Sequence, residues 1–320
     1  MIDTDSYRIG SFNIQKFHEN TYKKIGIIKK IIKDNSIDIL AIQEIFSKGA
    51  LDKLLAALGT EWDGRWDSPN SRSVSAAEGY AFVWNKQRID LSRRKNGEAF
   101  EPVIHNQYPH KNGMTLIRNP FYGRFVLKAN KMTEIRLLNT HIMFSQKREE
   151  NESDDHDSSE KLPGDVTKRK RELEILSKYI LPKIENKDYD RFWNEMDDIC
   201  RKPCATILLG DYNLNLRASG AKDTFIDEPF FIITDGKSQK RIVTVQSDLT
   251  TLKAKPKDGG PIKGYANNFD HFTYNDLRPI STKCWAVDVP NDPQYYAGDL
   301  DKYKKDVSDH LMIVMELSLI

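Results

Sequence analysis

The sequence has no dominant charge sign, few cysteines and no long apolar run, and each shortage closes off a class of function. Its 49 basic and 47 acidic residues leave a formal net charge of +2. No global field therefore steers the chain toward a polyanion, and any such attraction has to come from local clusters. The three cysteines (Cys200, Cys204, Cys284) are an odd number, and Cys200 and Cys204 have no second pair at zinc-site spacing. That argues against a disulfide scaffold and a zinc ribbon, and free thiols in a reducing compartment are expected. No stretch approaches the apolar length that spans a bilayer. The first residues, Met1-Ile-Asp-Thr-Asp-Ser6, lack the basic segment and apolar core of a signal peptide, so a cytoplasmic location is expected.

What the chain does have is a series of short apolar runs that end in polar side chains. The central one is Thr206-Ile-Leu-Leu-Gly210-Asp211-Tyr212-Asn213, whose first half has the composition of a buried strand. Residues i and i+2 of an extended chain point to one side, so Asp211 and Asn213 leave the strand together. Alone, an Asp and an Asn after a strand make an ordinary turn. The neighbours change the reading. Stretches 7–14, 38–44, 78–84, 121–129, 135–139, 242–251, 268–274 and 311–317 also read as extended segments, several with Asn, Glu, Asp or His at an end. Amphipathic helices are expected over 22–34, with Ile25, Ile28, Ile31 and Ile32 on one face, and over 51–58, closed by Gly59. A third is expected over 166–180, its basic run from Lys168 to Arg171 forming a solvated face, and a short one over 192–199.

Residues 146–160 contain almost nothing apolar, and a region of about 146–166 reads as an exposed acidic insertion. With no repeat and no linker between two cores, the expectation is one domain over 1–320. Its architecture is α/β or α+β, with a site along one rim of its sheets.

The polar residues at the strand ends are Asn13, Glu44, Glu78, His141, Asp211, Asn213, Asp270, Asp309 and His310. The set suits hydrolysis of a phosphate ester. Hard oxygen ligands from Glu44, Asp309, Asp211 or Asn13 fit a divalent cation. A histidine oriented by a carboxylate supplies a base near neutral pH, and two such pairs can be formed.

Ser11-Phe12-Asn13-Ile14, Ile42-Gln43-Glu44, Thr140-His141, Gly210-Asp211-Tyr212-Asn213, Phe269-Asp270-His271 and Ser308-Asp309-His310 occur in an order that resembles the successive motifs of the endonuclease/exonuclease/phosphatase superfamily. The resemblance covers nearly the whole chain. It implies a four-layered α/β sandwich, two packed mixed sheets flanked by helices. It also implies a Mg2+ site, with Mn2+ or Ca2+ as alternatives, held by Glu44, Asp309 and Asn13. Asp211 and Asn213 would orient water and phosphate, while His310 with Asp270 and His141 with Glu78 would form the acid–base pairs. Glu78, Tyr80 and Arg118 look like features of the deoxyribonuclease I-like branch, where the arginine meets DNA phosphate, and Thr250 and Thr251 precede the Asp270 motif as threonines do there. The branch implies a monomeric endonuclease acting on double-stranded DNA with low sequence preference. Alternatives on the same fold are a phosphatase of inositol phosphates or lipids, an abasic-site nuclease and a non-catalytic adaptor. His271 is expected to be structural or DNA-facing, and Lys253, Lys255, Lys257 and Lys263 either a solvated loop or phosphate contacts.

Overall fold

The computed structural model describes residues 6–69, 78–94, 96–105, 116–129, 134–143, 165–185, 204–216, 230–234, 239–244, 246–275 and 280–319. The expected insertion up to residue 164 and the helix over 192–199 lie outside them.

The first sheet is built from β1 (Ser6–Phe17), β2 (Ile39–Ile45), β3 (Trp62–Asp67), β4 (Gly79–Asn85), β13 (Ile280–Ala286) and β14 (Ile313–Leu319), in the order β13-β14-β1-β2-β4-β3. The second contains β5 (Ile89–Leu91), β6 (Val103–Ile104), β7 (Phe121–Leu127), β8 (Glu134–His141), β9 (Cys204–Asp211), β10 (Phe230–Thr234), β11 (Gln239–Thr244) and β12 (Asp270–Asn275). Its order is β10-β11-β12-β9-β8-β7-β5, with β6 also paired to β7. Both sheets are mixed: β1 runs parallel to β2 and β8 parallel to β9, while most other neighbours are antiparallel.

Strand periodicity assigns the layers. On β1, Tyr7 and Ile9 face the second sheet, and Phe12 and Ile14 face the helices outside. Ile39 and Ala41 of β2, Tyr80, Phe82 and Trp84 of β4, Ile135 and Leu137 of β8, and Ile207 and Leu209 of β9 fill the inter-sheet core. Outside the first sheet, helices α1 (Ile25–Asp34), α2 (Lys48–Leu58) and α5 (Leu300–Asp306) bury Ile28, Ile31, Leu51, Leu54 and Tyr303. Outside the second lie α3 (Asp165–Glu174), a π-helical turn over Ile175–Ile180 and α4 (Leu181–Glu185), which bury Leu173, Leu176 and Ile184 against Leu138 and Leu208. This is the expected four-layered sandwich. Among the described residues no helix is long and apolar enough to cross a membrane.

Two local features differ from expectation. Helix α2 starts at Lys48 rather than 51, because the Ser47 hydroxyl caps it by accepting from the Ala50 N–H. Arg169, placed by its composition on a solvated face, is buried, and its guanidinium donates to the Asn213 carbonyl.

On the outer face of the second sheet, Glu134 is enclosed by two arginines. Arg124 contacts it at 3.0 and 2.8 Å, Arg136 at 2.6 Å, and the Ser92 hydroxyl donates at 2.5 Å. Burial alone pushes the Glu134 carboxyl up, but Arg124 and Arg136 outweigh it and hold it at about 2, against 4.5 in an unfolded chain. A depressed carboxyl contributes stability above its unfolded value and loses it as pH falls toward the folded one. We predict that part of the folding stability disappears between pH 4.5 and about 2. Glu134→Gln should cost about 3 kcal/mol at neutral pH, because both guanidiniums lose their anion, and should flatten the acid limb. Unfolding midpoints measured against pH check this; parallel curves for the two proteins would contradict it.

Candidate active site

The site forms at one rim of the sandwich, where the inward-facing series of both sheets run out of apolar residues. On β1 the series Tyr7, Ile9, Ser11 ends at Asn13; on β8 the series Ile135, Leu137, Asn139 ends at His141. On β9, Ile207 and Leu209 lead to Asp211, and β12 begins at Asp270. Sheet register then places His141 on β8 and Asp270 on β12 directly beside Asp211, one on each side. Close approach of backbones tightens this corner. A Cβ on Gly210, at φ +139, would lie 1.9 Å from the Thr140 carbonyl, so only glycine fits between Leu209 and Asp211.

Glu44 reaches the site by a different route. Strict alternation would send it to the helix side of β2, yet it has φ +56 at an irregularity between Ile42 and Ile45. This left-handed residue turns the carboxylate back to the Asn13 amide, whose Nδ2 donates to Glu44 Oε1 at 3.1 Å and to Asp211 Oδ2 at 3.0 Å. Gln15, Lys16 and Asn213 also have positive φ. Backbone strain of this kind gathers where a site needs side chains in places the regular element does not supply.

Two histidine–carboxylate pairs face Asp211. His141 Nδ1 lies 2.5 Å from Glu78 Oε1, and its Nε2 is 3.5 Å from Asp211 Oδ2. His310 Nδ1 lies 2.9 Å from Asp270 Oδ2, and its Nε2 is 3.6 Å from the same Asp211 oxygen. All of these groups except Glu78 are buried, and Glu78 is nearly so. For His310, burial pushes the imidazole pKa down, but Asp270 and Asp211 outweigh it and carry it well above the ordinary value. Burial likewise lowers His141, and Glu78 and Asp211 more than compensate. Asp211 itself is raised by burial, against the pull of His310 and His141.

The other expected residues take varied positions. Asn213 is buried beside Asp211, its N–H donating to Asp211 Oδ1 at 2.8 Å and its amide to the Ile142 carbonyl at 2.9 Å. Arg118 donates to Glu78 from Nη1 at 2.8 Å and pairs with it through Nη2 at 2.7 Å, and Nη1 also lies 3.1 Å from His141 Nδ1. It thus shares Glu78 with the imidazole. Tyr80, Thr250 and Thr251, expected to meet substrate, are buried and act from behind the site. The Tyr80 hydroxyl accepts the His141 N–H at 3.1 Å. Thr250 Oγ1 accepts the Asp270 N–H at 3.2 Å, and Thr251 bridges to His310 along the backbone. His271 is structural. It is fully buried, its Nε2–H donates to the Leu214 carbonyl at 2.8 Å, and burial pushes its pKa down to about 4.

The expected cation ligands Glu44, Asp309 and Asn13 line one side. Asn13 presents its amide nitrogen to the carboxylates, while its Oδ1 accepts the Gln15 N–H at 3.0 Å. Asp309 accepts from Gln15 Nε2 at 2.5 Å and lies 3.5 Å from Lys304 Nζ. A second donor set was not foreseen: ligand atoms of Asp211, Asp270 and His310 all lie within 4.8 Å of one another. Asp270 Oδ1 is buried with no hydrogen-bond partner. An orphaned carboxylate oxygen among hard ligands fits a divalent cation. Sequence reasoning also missed Lys23, because it reads as one more lysine of an amphipathic helix. It is buried, its ammonium donates to the Lys304 carbonyl at 3.2 Å, and burial lowers its pKa to about 8 against the pull of Asp309 and Glu44.

Solved structures share this architecture across nearly all of the chain. An endonuclease/exonuclease/phosphatase family protein from Bacteroides thetaiotaomicron is 13% identical, with a TM-score of 0.55 over 98% of each chain. A mannosyl-6-phosphatase from the same organism is 14% identical, with a TM-score of 0.56 over 97% of this chain and 99% of that one. TDP2 from D. rerio, in complex with a single-strand DNA product, is 12% identical, with a TM-score of 0.54 over 98% of each. The chain has the endonuclease/exonuclease/phosphatase fold. No family model matches the sequence, and no curated protein matches it either.

The electrostatics can be read directly. In metal-free protein, NMR titration should find the His310 ring still protonated above the ordinary histidine range. Asp270→Asn removes the nearest anion and should bring that titration to lower pH. An unchanged His310 titration in the variant would contradict the pairing.

Proposed function

We propose that this protein is a divalent-metal-dependent phosphodiesterase that cleaves DNA with little sequence preference. The observation that carries the reading is the pair of imidazoles, each held by its own carboxylate, with both Nε2 atoms within 3.6 Å of one Asp211 oxygen. Hydrolysis of a phosphodiester needs a proton taken from water on one side of phosphorus and a proton given to the leaving oxygen on the other. Two histidines converging from opposite sides supply both.

In this reading Asp270 holds His310 by its Nδ1–H and leaves Nε2 open toward the reaction space, where it accepts the proton of the attacking water. Glu78 holds His141 in the same manner, and His141 delivers a proton to the leaving oxygen. The raised His141 pKa keeps the donor charged near neutral pH, and His310 accepts the proton only in its neutral form, so turnover should rise as pH climbs through its raised titration. The two N–H groups of the Asn13 amide hold the Glu44 and Asp211 carboxylates in place. Glu44, Asp309 and Asn13, with the carboxylates of Asp211 and Asp270, would hold the cation. Bound there, a divalent cation supplies positive charge to a phosphoryl oxygen.

A polyanionic substrate is favoured over a small phosphate ester by the lysines beside the rim. Lys253, Lys257 and Lys263 are exposed on the loop that runs from Thr251 and Leu252, where Leu252 donates to the Asp309 carbonyl at 2.8 Å. Such lysines suit backbone phosphates, a sequence-independent and salt-sensitive attraction. The D. rerio neighbour's single-strand DNA product agrees with this, and the mannosyl-6-phosphatase is the rival precedent for a monoester.

His141→Ala and His310→Ala should each slow nicking of supercoiled plasmid by about a hundredfold or more. Thermal unfolding should change little in either. EDTA should abolish nicking, and magnesium or manganese should restore it. Near-wild-type nicking by either variant would overturn the assignment. A panel of plasmid, abasic duplex, RNA, and inositol and mannose phosphates decides the substrate class; turnover of the monoesters alone would overturn the DNA reading.

A further inference from the structure

The chain ends that leave β1 and β2 each carry a ring that the catalytic account does not use. His18 follows Asn13 by five residues, and Phe46 follows Glu44 by two, so both sit where the strands that hold the site run out. Their rings are stacked, with centroids 4.4 Å apart and planes inclined by 26°. The Phe46 N–H donates to the Phe17 carbonyl at 2.9 Å, which zips the two strand ends together beneath the stack. His18 is exposed and Phe46 half-buried.

Tyr22, further along the chain that leaves β1, is 68% exposed, the highest value of any large apolar side chain among the described residues. Its ring lies 5.4 Å from the ammonium of Lys23, the buried lysine that feels both Asp309 and Glu44. Lys23 donates to the carbonyl of Lys304, whose ammonium lies 3.5 Å from Asp309, so the tyrosine borders the carboxylate side of the site. Lys16, between Asn13 and His18, is exposed, and its ammonium makes no ion pair among the described residues.

Apolar packing accounts poorly for this arrangement, since a ring that is two-thirds in water buries little. Flat rings beside a free ammonium, next to a site for phosphodiesters, match what a strand of unpaired nucleotides presents. Planar bases stack on the rings, and the backbone phosphate meets the lysine. Bases within a duplex already have their faces covered by neighbours. A sugar phosphate has no π-face to offer. We propose that the His18–Phe46 stack and Tyr22 form a base-stacking subsite for single-stranded nucleic acid on the Glu44–Asp309 side of the cleft. The inference rests on the phosphodiesterase reading and adds to it a preference for unpaired nucleotides beside the scissile bond.

The test separates stacking from catalysis by measuring binding in EDTA. Fluorescence anisotropy compares a labelled oligothymidylate with an equally long deoxyribose-phosphate oligomer that lacks bases. Wild-type protein should bind the oligothymidylate about tenfold or more tightly, the gain expected from stacking one or more bases. The double variant His18→Leu/Phe46→Leu keeps apolar bulk between the strand ends but removes both rings. It should lose that preference while binding the base-free oligomer as before, and Tyr22→Ser should lose part of it. Both variants should hydrolyse bis(p-nitrophenyl) phosphate at the wild-type rate, which shows that they are folded and competent. Equal wild-type affinity for the two oligomers, or a preference that survives in the double variant, would overturn the subsite. Absence of diester hydrolysis by wild-type protein with magnesium would instead overturn the phosphodiesterase reading, and it would leave the binding result to stand by itself.

Discussion

The site depends on polar contacts that cross the gap between the two sheets, and the Asp211 carboxylate is the group on which they converge. Asn13 of the first sheet donates to it at 3.0 Å. Both imidazoles face it, His141 from its own sheet and His310 from the chain entering β14. Removing a carboxylate from water is expensive unless donors and cations replace the solvent. Here an amide, a backbone N–H from Asn213 and two imidazoles do so. The other crossings follow the same pattern. Glu78, just before β4, reaches His141 on β8, and His310 reaches Asp270 on β12. Deeper between the sheets, Gln43 of β2 donates to Asn139 of β8 at 2.7 Å. None of these pairs is local in sequence, so the chemistry can appear only when both sheets have formed and packed.

That dependence explains why the core and the site are hard to separate. The residues that aim the histidines are themselves buried: Tyr80 through the His141 N–H, and Thr250 through the Asp270 N–H. Ser308 adds a third brace, donating to the Asn13 carbonyl at 2.6 Å while accepting the His310 N–H at 3.1 Å. Rigid support of this kind keeps reacting groups in place without reorganisation at the moment of reaction. On the proposed reading, substrate selection falls to the open rim with its lysines and exposed rings.

Much of this was legible in the sequence because strand periodicity is a simple rule. Apolar series ending in Asn13, His141 and Asp211 predict both the strands and the rim on which those residues meet. The rule fails where geometry departs from it. Glu44 enters the site through a left-handed bulge that alternation does not reveal, and Arg169 is buried by a contact with Asn213 that its basic neighbours conceal. Strand β3 was not read because Trp62-Asp-Gly-Arg-Trp-Asp67 carries charge at two exposed positions and a glycine that packs under Phe82. Helix α5 is short and lysine-rich, with only Leu300, Tyr303 and Asp306 buried. Lys23 looks like any helix lysine until tertiary packing closes over it. Thr250 and Thr251 are buried behind the site, where their hydroxyls accept from the Asp270 N–H and from Asn267, contacts that their place in the sequence does not reveal.

The most direct test of the account is the turnover of a simple phosphodiester by Asp211→Asn, measured with magnesium alongside thermal unfolding. The asparagine keeps the shape and the contact with Asn213 but removes the anion that both imidazoles share. The account predicts a loss of about a thousandfold or more in kcat/KM, with the protein still folded. Turnover near the wild-type rate in a folded variant would contradict it.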